Sequence, residues 1–457
     1  MSEQNFDIVV LGGGSGGYAA ALRGVQLGFS VALIEKDKVG GTCLHRGCIP
    51  TKALLHAAEI ADGVKDSEKY GVKAHFDGID IAGVTTYREE VVSSKFKGLQ
   101  GLLKARKITT IAGEGKLIGP NTVQVGDDRI TGKHIVLATG SYSRSLPGLE
   151  LGGRVITSEG ALALDFVPKK VAVLGGGVIG VEFASVWKSF GADVTIIEGL
   201  PHLVPNEEES ISKSLERAFR KRGIDYKLGV RFSGVTQDEN GVVVTLENGE
   251  TVEAELLLVA VGRGASTSGL GFEEQGVTVD RGFVITNERL QTSVPSIYAV
   301  GDIVPGLQLA HRSFQQGIFV AEEIAGLKPV VIEDVNIPKV TYSEPEVASV
   351  GYTEAKAKEK FGADKVSSYE YNLAGNGKSH IIGTSGSVKV VRVQDGPVIG
   401  VHMIGARVGE LIGEAQLAVN WEAYPEDVAP LIHAHPTQNE ALGEAFLALE
   451  GKPLHAL

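Results

Sequence analysis

"DIVVLGGGSGG" runs from Asp7 to Gly17, and "KVAVLGGGVIG" from Lys170 to Gly180 repeats its form. Each is a short apolar run of the kind that makes a buried parallel strand, followed by G-x-G-x-x-G and then by a helix-like segment. A second apolar run, "SVALIE" or "DVTIIE", ends at the same interval in an acid, Glu35 in the first copy and Glu198 in the second. The parts have independent physical reasons. Gly12 and Gly175 allow the tight turn, Gly14 and Gly177 let a pyrophosphate approach the backbone, and Gly17 and Gly180 let helix and strand pack closely. The helix N-terminus faces the anion, and the acid accepts hydrogen bonds from a ribose 2′-hydroxyl. Two such units predict an α/β chain with two Rossmann-like dinucleotide sites, and two dinucleotides on one chain point to electron transfer between cofactors.

The second acid selects one of them. "GLPHLVP" follows Glu198 with no Arg or Lys before Pro205, so the local sequence offers a 2′-phosphate a carboxylate and no cation. That favours NAD over NADP. Three further apolar strands end in glycine turns: "HIVLATGSYS" (134–143), "LLLVAVGRG" (256–264) and "SVPSIYAVGD" (293–302), the last leaving Asp302 exposed just past a strand. From about Asn336 the pattern changes to alternating strands ("IPKVTYS", "SVKVVRV", "PVIGVHMIG") and helical stretches around "ELIGEAQLAVNW" and "TQNEALGEAFLAL", which predicts an α+β unit.

Bulk properties remove other classes. The 457 residues exceed what one core sustains, so several domains are expected. With 44 Lys and Arg against 56 Asp and Glu the net charge is −12, the wrong sign for neutralising nucleic-acid phosphates. No apolar window is long enough to span a bilayer, and the N-terminus enters a strand-like run at once, so no membrane partner and a cytoplasmic location are expected.

"GGTCLHRGCIPTK" (40–52) holds the only two cysteines, Cys43 and Cys48. A close pair in a cytoplasmic chain is more often redox-active or metal-binding than structural, and no second pair supplies further zinc ligands. Positions five apart on a regular helix are separated by roughly 7.5 Å along its axis, beyond the ~7 Å limit for bridged Cα atoms. A bridge therefore needs a distorted turn, which Gly47 permits. The strongly helical "TKALLHAAEIA" after Pro50 places Cys48 near a helix N-terminus, where the dipole favours thiolate. "HAHPTQNE" (433–440) supplies a proton acceptor: Pro436 suits a first helical position, leaving His435 just outside and Glu440 within reach of one ring nitrogen.

"GGTCLHRGCIPTK", "GGGVIGVEFAS", "SIYAVGD" and "HAHPTQNE", in this order and spacing, resemble the flavoprotein disulfide reductases, and among them the dihydrolipoyl dehydrogenase branch. The resemblance spans essentially the whole chain. It implies FAD and NAD as cofactors, with an FAD-binding domain over 1–145 and 266–335, an NAD-binding domain over 146–265 and a dimerisation domain over 336–457. It implies an active homodimer in which the histidine reaches the partner's disulfide, and a lipoylated E2 or glycine-cleavage H protein as substrate carrier. Cys43 would exchange with the dithiol, Cys48 would face the flavin, and His435 with Glu440 would move the proton. Lys52 would lie beside the flavin and pair with Glu182 near the nicotinamide. Asp302 would hold the ribityl chain and Glu35 the adenosine ribose. Gly115, Thr139, Gly140, Ser141 and Ala310 would complete the FAD site, and Gly262 the NAD site. The tail lacks the extra cysteines of mercuric and larger thioredoxin reductases, and Gly180 with Glu198 argues against an NADPH-dependent reductase of another small disulfide. A non-catalytic nucleotide-binding scaffold is the rival from outside enzymology. Three places depart from the branch's common pattern: His45 with Arg46 between the cysteines, which makes the mouth of the pair more basic, Ala265 and Gln316.

Overall fold

The computed structural model describes residues 3–456, and the chain divides into two compact units, each assembled from three separate segments.

The first unit comprises residues 1–53, 82–144 and 262–334. Its sheet runs in the order Thr109–Ala112, Val31–Glu35, Glu3–Leu11, Asp128–Leu137, Thr122–Val125, Gly115–Gly119, with Ile297–Ala299 also paired to Asp128–Leu137. Glu3–Leu11 lies parallel to both of its neighbours, Val9 opposite Ala32 and Ile135. Ile8, Val9 and Val10 are wholly buried. That burial on both faces explains a continuous apolar run instead of alternation. Helices Ser15–Gln26 and Ala310–Ile324 meet at small residues: a side chain begun at Gly317 would stand 2.2 Å from the Gly16 carbonyl oxygen. A two-stranded antiparallel ribbon joins Ser141–Ser143 to Arg263–Ala265.

The second unit comprises residues 54–81, 145–261 and 335–457. It holds a parallel sheet ordered Ile224–Leu228, Asp193–Glu198, Lys170–Leu174, Leu256–Val259, Val155–Ile156, and an antiparallel meander of Phe232–Gln237, Val242–Leu246 and Thr251–Ala254. Its C-terminal part is a five-stranded antiparallel sheet in the order Lys339–Thr341, Glu346–Gly351, Val398–Gly405, Ser387–Val393, Val366–Asn372. Helix Val408–Asn420 buries Val408, Ile412, Ala415, Ala418 and Val419, an i, i+4, i+7 stripe that faces the core and leaves Glu414 off that face. Helix Glu440–Leu449 buries Ala441, Leu442, Ala445 and Phe446 in the same core. Each large apolar side chain so buried contributes about 1.5–3 kcal/mol. Among the described residues no helix is long and apolar enough to cross a membrane.

Candidate functional site

The two glycine motifs form matching cradles. Gly12 and Gly175 have φ of +108° and +111°, where a side chain would also press against the Ala138 and Ala260 carbonyls. A Cβ at Gly17 would lie 1.8 Å from the Gly12 oxygen, and one at Gly180 would lie 1.9 Å from the Gly175 oxygen. Gly14 and Gly177 are different: nothing stands within 4 Å of a Cβ at either. They are the N-cap residues of helices Ser15–Gln26 and Val178–Phe190, and neither helix has a side-chain cap. Each cradle thus presents N–H groups and open space together, as an anion seat requires.

The acids are held alike. Glu35 accepts from the Gly13 amide at 2.7 Å and the Asp37 amide at 2.8 Å, and Glu198 from Gly176 and Leu200 at the same two distances. Each carboxylate keeps lone pairs for a ribose hydroxyl. One basic side chain arrives near the second acid from outside the motif: the Arg231 Cγ lies 3.5 Å from the Cβ position of Gly199.

Asp302 sits in a short helical turn, Gly301–Ile303, after strand Ile297–Ala299. It is half-buried, not exposed as the strand-end reading expects, because the Ser141 hydroxyl donates to its Oδ2. Arg263 fixes Ser141 in turn, donating through Nε to its hydroxyl at 2.7 Å and through a terminal nitrogen to its carbonyl at 2.8 Å. Thr139 donates to the Ser266 carbonyl, whose amide donates to the Gly140 carbonyl. Gln316, buried in helix Ala310–Ile324, accepts the Gly301 N–H at 2.7 Å. Ala310 opens that helix, and Ala265 pairs with Ser141 in the ribbon. Gly115 needs no ligand to account for it, since a Cβ there would meet Leu11 at 2.5 Å in the core. Gly262 belongs to the first unit, whereas Gly175, Gly177 and Gly180 belong to the second.

The cysteines flank a break between helix Gly41–Arg46 and helix Cys48–Lys65. Gly47 makes the break with φ −143° and ψ −111°, so Cys48 is the first residue of its helix. Both cysteines are half-buried thiols, and Cys43 hydrogen-bonds Cys48 and Ser15. The Cys43 pKa is driven far up, first by the hydrogen bond with Cys48, then by burial and the Cys48 charge, with Lys52 opposing. The reduced pair therefore carries at most one negative charge. His45 faces the Val39 carbonyl at 3.0 Å and packs edge-on against Phe96, while Arg46 pairs with Asp37 at 2.6 Å. Arg46 thus has a carboxylate partner outside the cysteine pair.

In the second unit, His435 Nδ1 lies 2.8 Å from Glu440 Oε1, and the Thr437 amide donates to Glu440 Oε2 at 2.8 Å. Burial pulls the Glu440 pKa upward, but the Thr437 amide and His435 outweigh it and leave the carboxyl below its usual range. The His435 side chain is 76% exposed. Pro436 does not open a helix. The helix begins at Glu440, because residues 437–439 form a turn closed by the Glu440 carboxylate and by the Ala441 N–H on the Gln438 carbonyl. Glu182 is buried in helix Val178–Phe190 and accepts the Tyr342 amide at 2.9 Å. Lys52 stands on the cysteine helix, close enough to act on Cys43. Sequence reasoning missed Arg263, the acceptor role of Gln316, and a second histidine pair, His433 with Glu414 at 2.8 Å. The alternation His433-Ala434-His435 is the one signal that pointed to that pair.

Two family models match the chain. One described as pyridine nucleotide-disulphide oxidoreductase covers residues 6–317, and the dimerisation domain of the same family covers residues 337–446. A dihydrolipoyl dehydrogenase of Bacillus subtilis (strain 168) is 40% identical, over 98% of this chain and 99% of its own. The mitochondrial dihydrolipoyl dehydrogenase of Pisum sativum is 40% identical over 99% of this chain and 93% of its own. A leghemoglobin reductase of Glycine max is 39% identical over 99% of this chain and 89% of its own. Among solved structures, LpdA from Mycobacterium tuberculosis superposes with a TM-score of 0.90 at 26% identity, covering 98% of this chain and 100% of that one. The Cu(II) complex of the HOCl-induced flavoprotein disulfide reductase RclA from Escherichia coli gives 0.88 at 28% identity, covering 97% and 99%.

Proposed function

The chain belongs to the pyridine nucleotide-disulphide oxidoreductase family, and from that premise we propose that it acts as a dihydrolipoyl dehydrogenase, oxidising protein-bound dihydrolipoyl groups to lipoyl and reducing NAD+. The observation that carries this is the placement of the chain's only two cysteines, thiol against thiol across the Gly47 break, in the unit that also holds the first cradle. Near-complete coverage of relatives bearing that name supports it.

The residues fit both cofactors. The open space at Gly14, the uncapped helix behind it and Glu35 suit the FAD pyrophosphate and adenosine ribose, with Asp302 and Ser141 for the ribityl chain. Gly177 and Glu198 suit NAD in the same manner. When bound, the flavin accepts the electron pair from the dithiol and supplies the hydride that reduces NAD+.

The chain's own residues perform the thiol chemistry. His435 takes the proton of the first substrate thiol, and Glu440 on the other ring nitrogen steadies the imidazolium. The substrate thiolate attacks Cys43 Sγ, the Cys43–Cys48 bond breaks, and Cys48 departs as thiolate. The second substrate thiol then attacks the substrate sulfur bound to Cys43, its proton passing to the departing Cys43 sulfur, so that Cys43 leaves as a thiol while Cys48 stays a thiolate beside the protonated His435. The substrate departs as a cyclic disulfide, and its two electrons remain on the cysteine pair. The exposure of His435 suits a group that acts across the interface of a homodimer, on the disulfide of the partner subunit. Lipoylated E2 or the glycine-cleavage H protein would present the dithiol, and a cytoplasmic setting suits a pair that must cycle between thiol and disulfide.

Rates with dihydrolipoamide and NAD+ or NADP+, set beside reduction of glutathione disulfide by NADH or NADPH, test the reading. The dihydrolipoamide and NAD+ pairing should lead every other by about 100-fold or more. Faster reduction of another small disulfide by NADPH would contradict it.

A further inference from the structure

The segment that carries His435 is gripped by a second histidine–carboxylate pair. Glu414 projects from helix Val408–Asn420 and uses both carboxylate oxygens. Oε1 meets His433 Nε2 at 2.8 Å, and Oε2 accepts from Asn439 Nδ2 at 2.6 Å. One carboxylate thus holds both ends of residues 433–439, with His435 between them. The His433 side chain is 12% exposed, in contrast to that of His435. Its ring lies on Gly443, where a Cβ would come within 2.7 Å of Nδ1. Further bonds stiffen the stretch: Thr437 Oγ1 donates to the Ala434 carbonyl at 2.6 Å, and Asn376 Nδ2 donates to the Thr437 carbonyl at 2.9 Å. The Glu414 hydrogen bond raises the His433 pKa against the pull of burial, and the His433 charge in turn helps to keep Glu440 ionised.

We infer that Glu414 and His433 are positioning residues for the thiol reaction, a brace that sets where the His435 imidazole stands. The inference rests on the reading of His435 as the proton acceptor. Histidine carboxylate pairs at a site can act as base and orienter. Here His435 is exposed, while His433 is largely buried and engaged through Nε2 by a carboxylate that helix Val408–Asn420 carries.

A displacement of about 1 Å at a proton acceptor costs on the order of 100-fold, so the test is kinetic. In the full-length holoenzyme, Glu414→Ala should slow dihydrolipoamide oxidation by NAD+ about 10- to 100-fold. Reduction of ferricyanide by NADH, which needs neither substrate dithiol nor His435, should stay within about twofold of native. Glu414→Gln, whose amide still accepts from Asn439 and can donate to the ring, should recover the dithiol rate to within about threefold. His433→Gln provides a second variant should the alanine protein not fold, with the same split of activities expected. A Glu414→Ala protein with a native dithiol rate overturns the inference. So does an equal fall in both reactions, which marks a general structural loss, or a Gln variant as slow as the Ala variant. Native enzyme is assayed in parallel: its failure to oxidise dihydrolipoamide would condemn the proposed function, whereas active native enzyme with unaffected variants condemns only the brace.

Discussion

Replacing Gln316 by Met removes one acceptor from a buried site and little else. Gln316 is 2% exposed and its Oε1 takes the Gly301 N–H at 2.7 Å, within the turn that presents Asp302. Gly301 sits at φ +77°, a left-handed position that this hydrogen bond helps to hold. Methionine matches the length and burial of glutamine, so the cavity term is small and the loss is that of the hydrogen bond with its donor left orphaned. An unsatisfied buried N–H costs about 1–3 kcal/mol. At 2–4 °C per kcal/mol for a domain of this size, the midpoint of thermal unfolding should fall by about 2–12 °C. Differential scanning calorimetry measures that fall, and fluorescence of released FAD reports whether the Asp302 turn has loosened. Gln316→Glu keeps an acceptor for the Gly301 N–H, so its FAD retention should exceed that of the Met variant. A Met variant with native melting and native FAD retention would refute the account of this turn.

Gly177→Val should leave the fold intact, since its φ of −76° suits any residue and nothing lies within 4 Å of the new Cβ. The side chain fills the second cradle, so the KM for NAD+ should rise about 100-fold with FAD content unchanged, as steady-state kinetics and absorbance will show. Glu440→Gln removes the carboxylate that lies 2.8 Å from His435 Nδ1, and, if that carboxylate steadies the imidazolium as proposed, dithiol oxidation should slow about 100-fold. Burial pushes the Glu346 carboxyl up to about 7 from 4.5, the Gly409 amide opposing and the charges of Glu344, Glu410 and Glu59 adding to the rise. The folded state then binds a proton the unfolded state has released, so stability from this group falls as pH rises from 4.5 to 7. Glu346→Gln should therefore stabilise the protein by about 2–3 kcal/mol at pH 8 and by little at pH 4, measured as denaturant midpoints at the two pH values.

The features that are local in sequence were legible in it. Both glycine cradles, their strands and the acids at their second strands follow from patterns whose parts lie within a few dozen residues. Ser387–Val393 and Val398–Gly405 were visible for the same reason, as apolar runs between turn residues. The gathering of distant segments was not visible. Nothing near Asp302 indicates that Ser141 will donate to it, or that Arg263 will fix Ser141 from a ribbon strand more than a hundred residues further along. Glu414 reads as one polar residue on an amphipathic helix until the fold lays residues 433–439 across it. Pro436 misled because proline favours a helix start, but the Glu440 carboxylate captures the Thr437 amide and delays the helix by four residues. His45 and Arg46 likewise take partners that the sequence does not announce, the Val39 carbonyl and Asp37.

Cys43 and Cys48 are proposed to carry electrons between a dithiol and the flavin. Stopped-flow mixing of Cys48→Ser holoenzyme with dihydrolipoamide and NAD+, beside native enzyme of equal FAD content, tests it most directly. Native enzyme should form one NADH for each dithiol oxidised, and the Ser variant should form none while retaining its FAD and its reduction of ferricyanide by NADH. NADH formed by the Ser variant at the native rate would contradict the account.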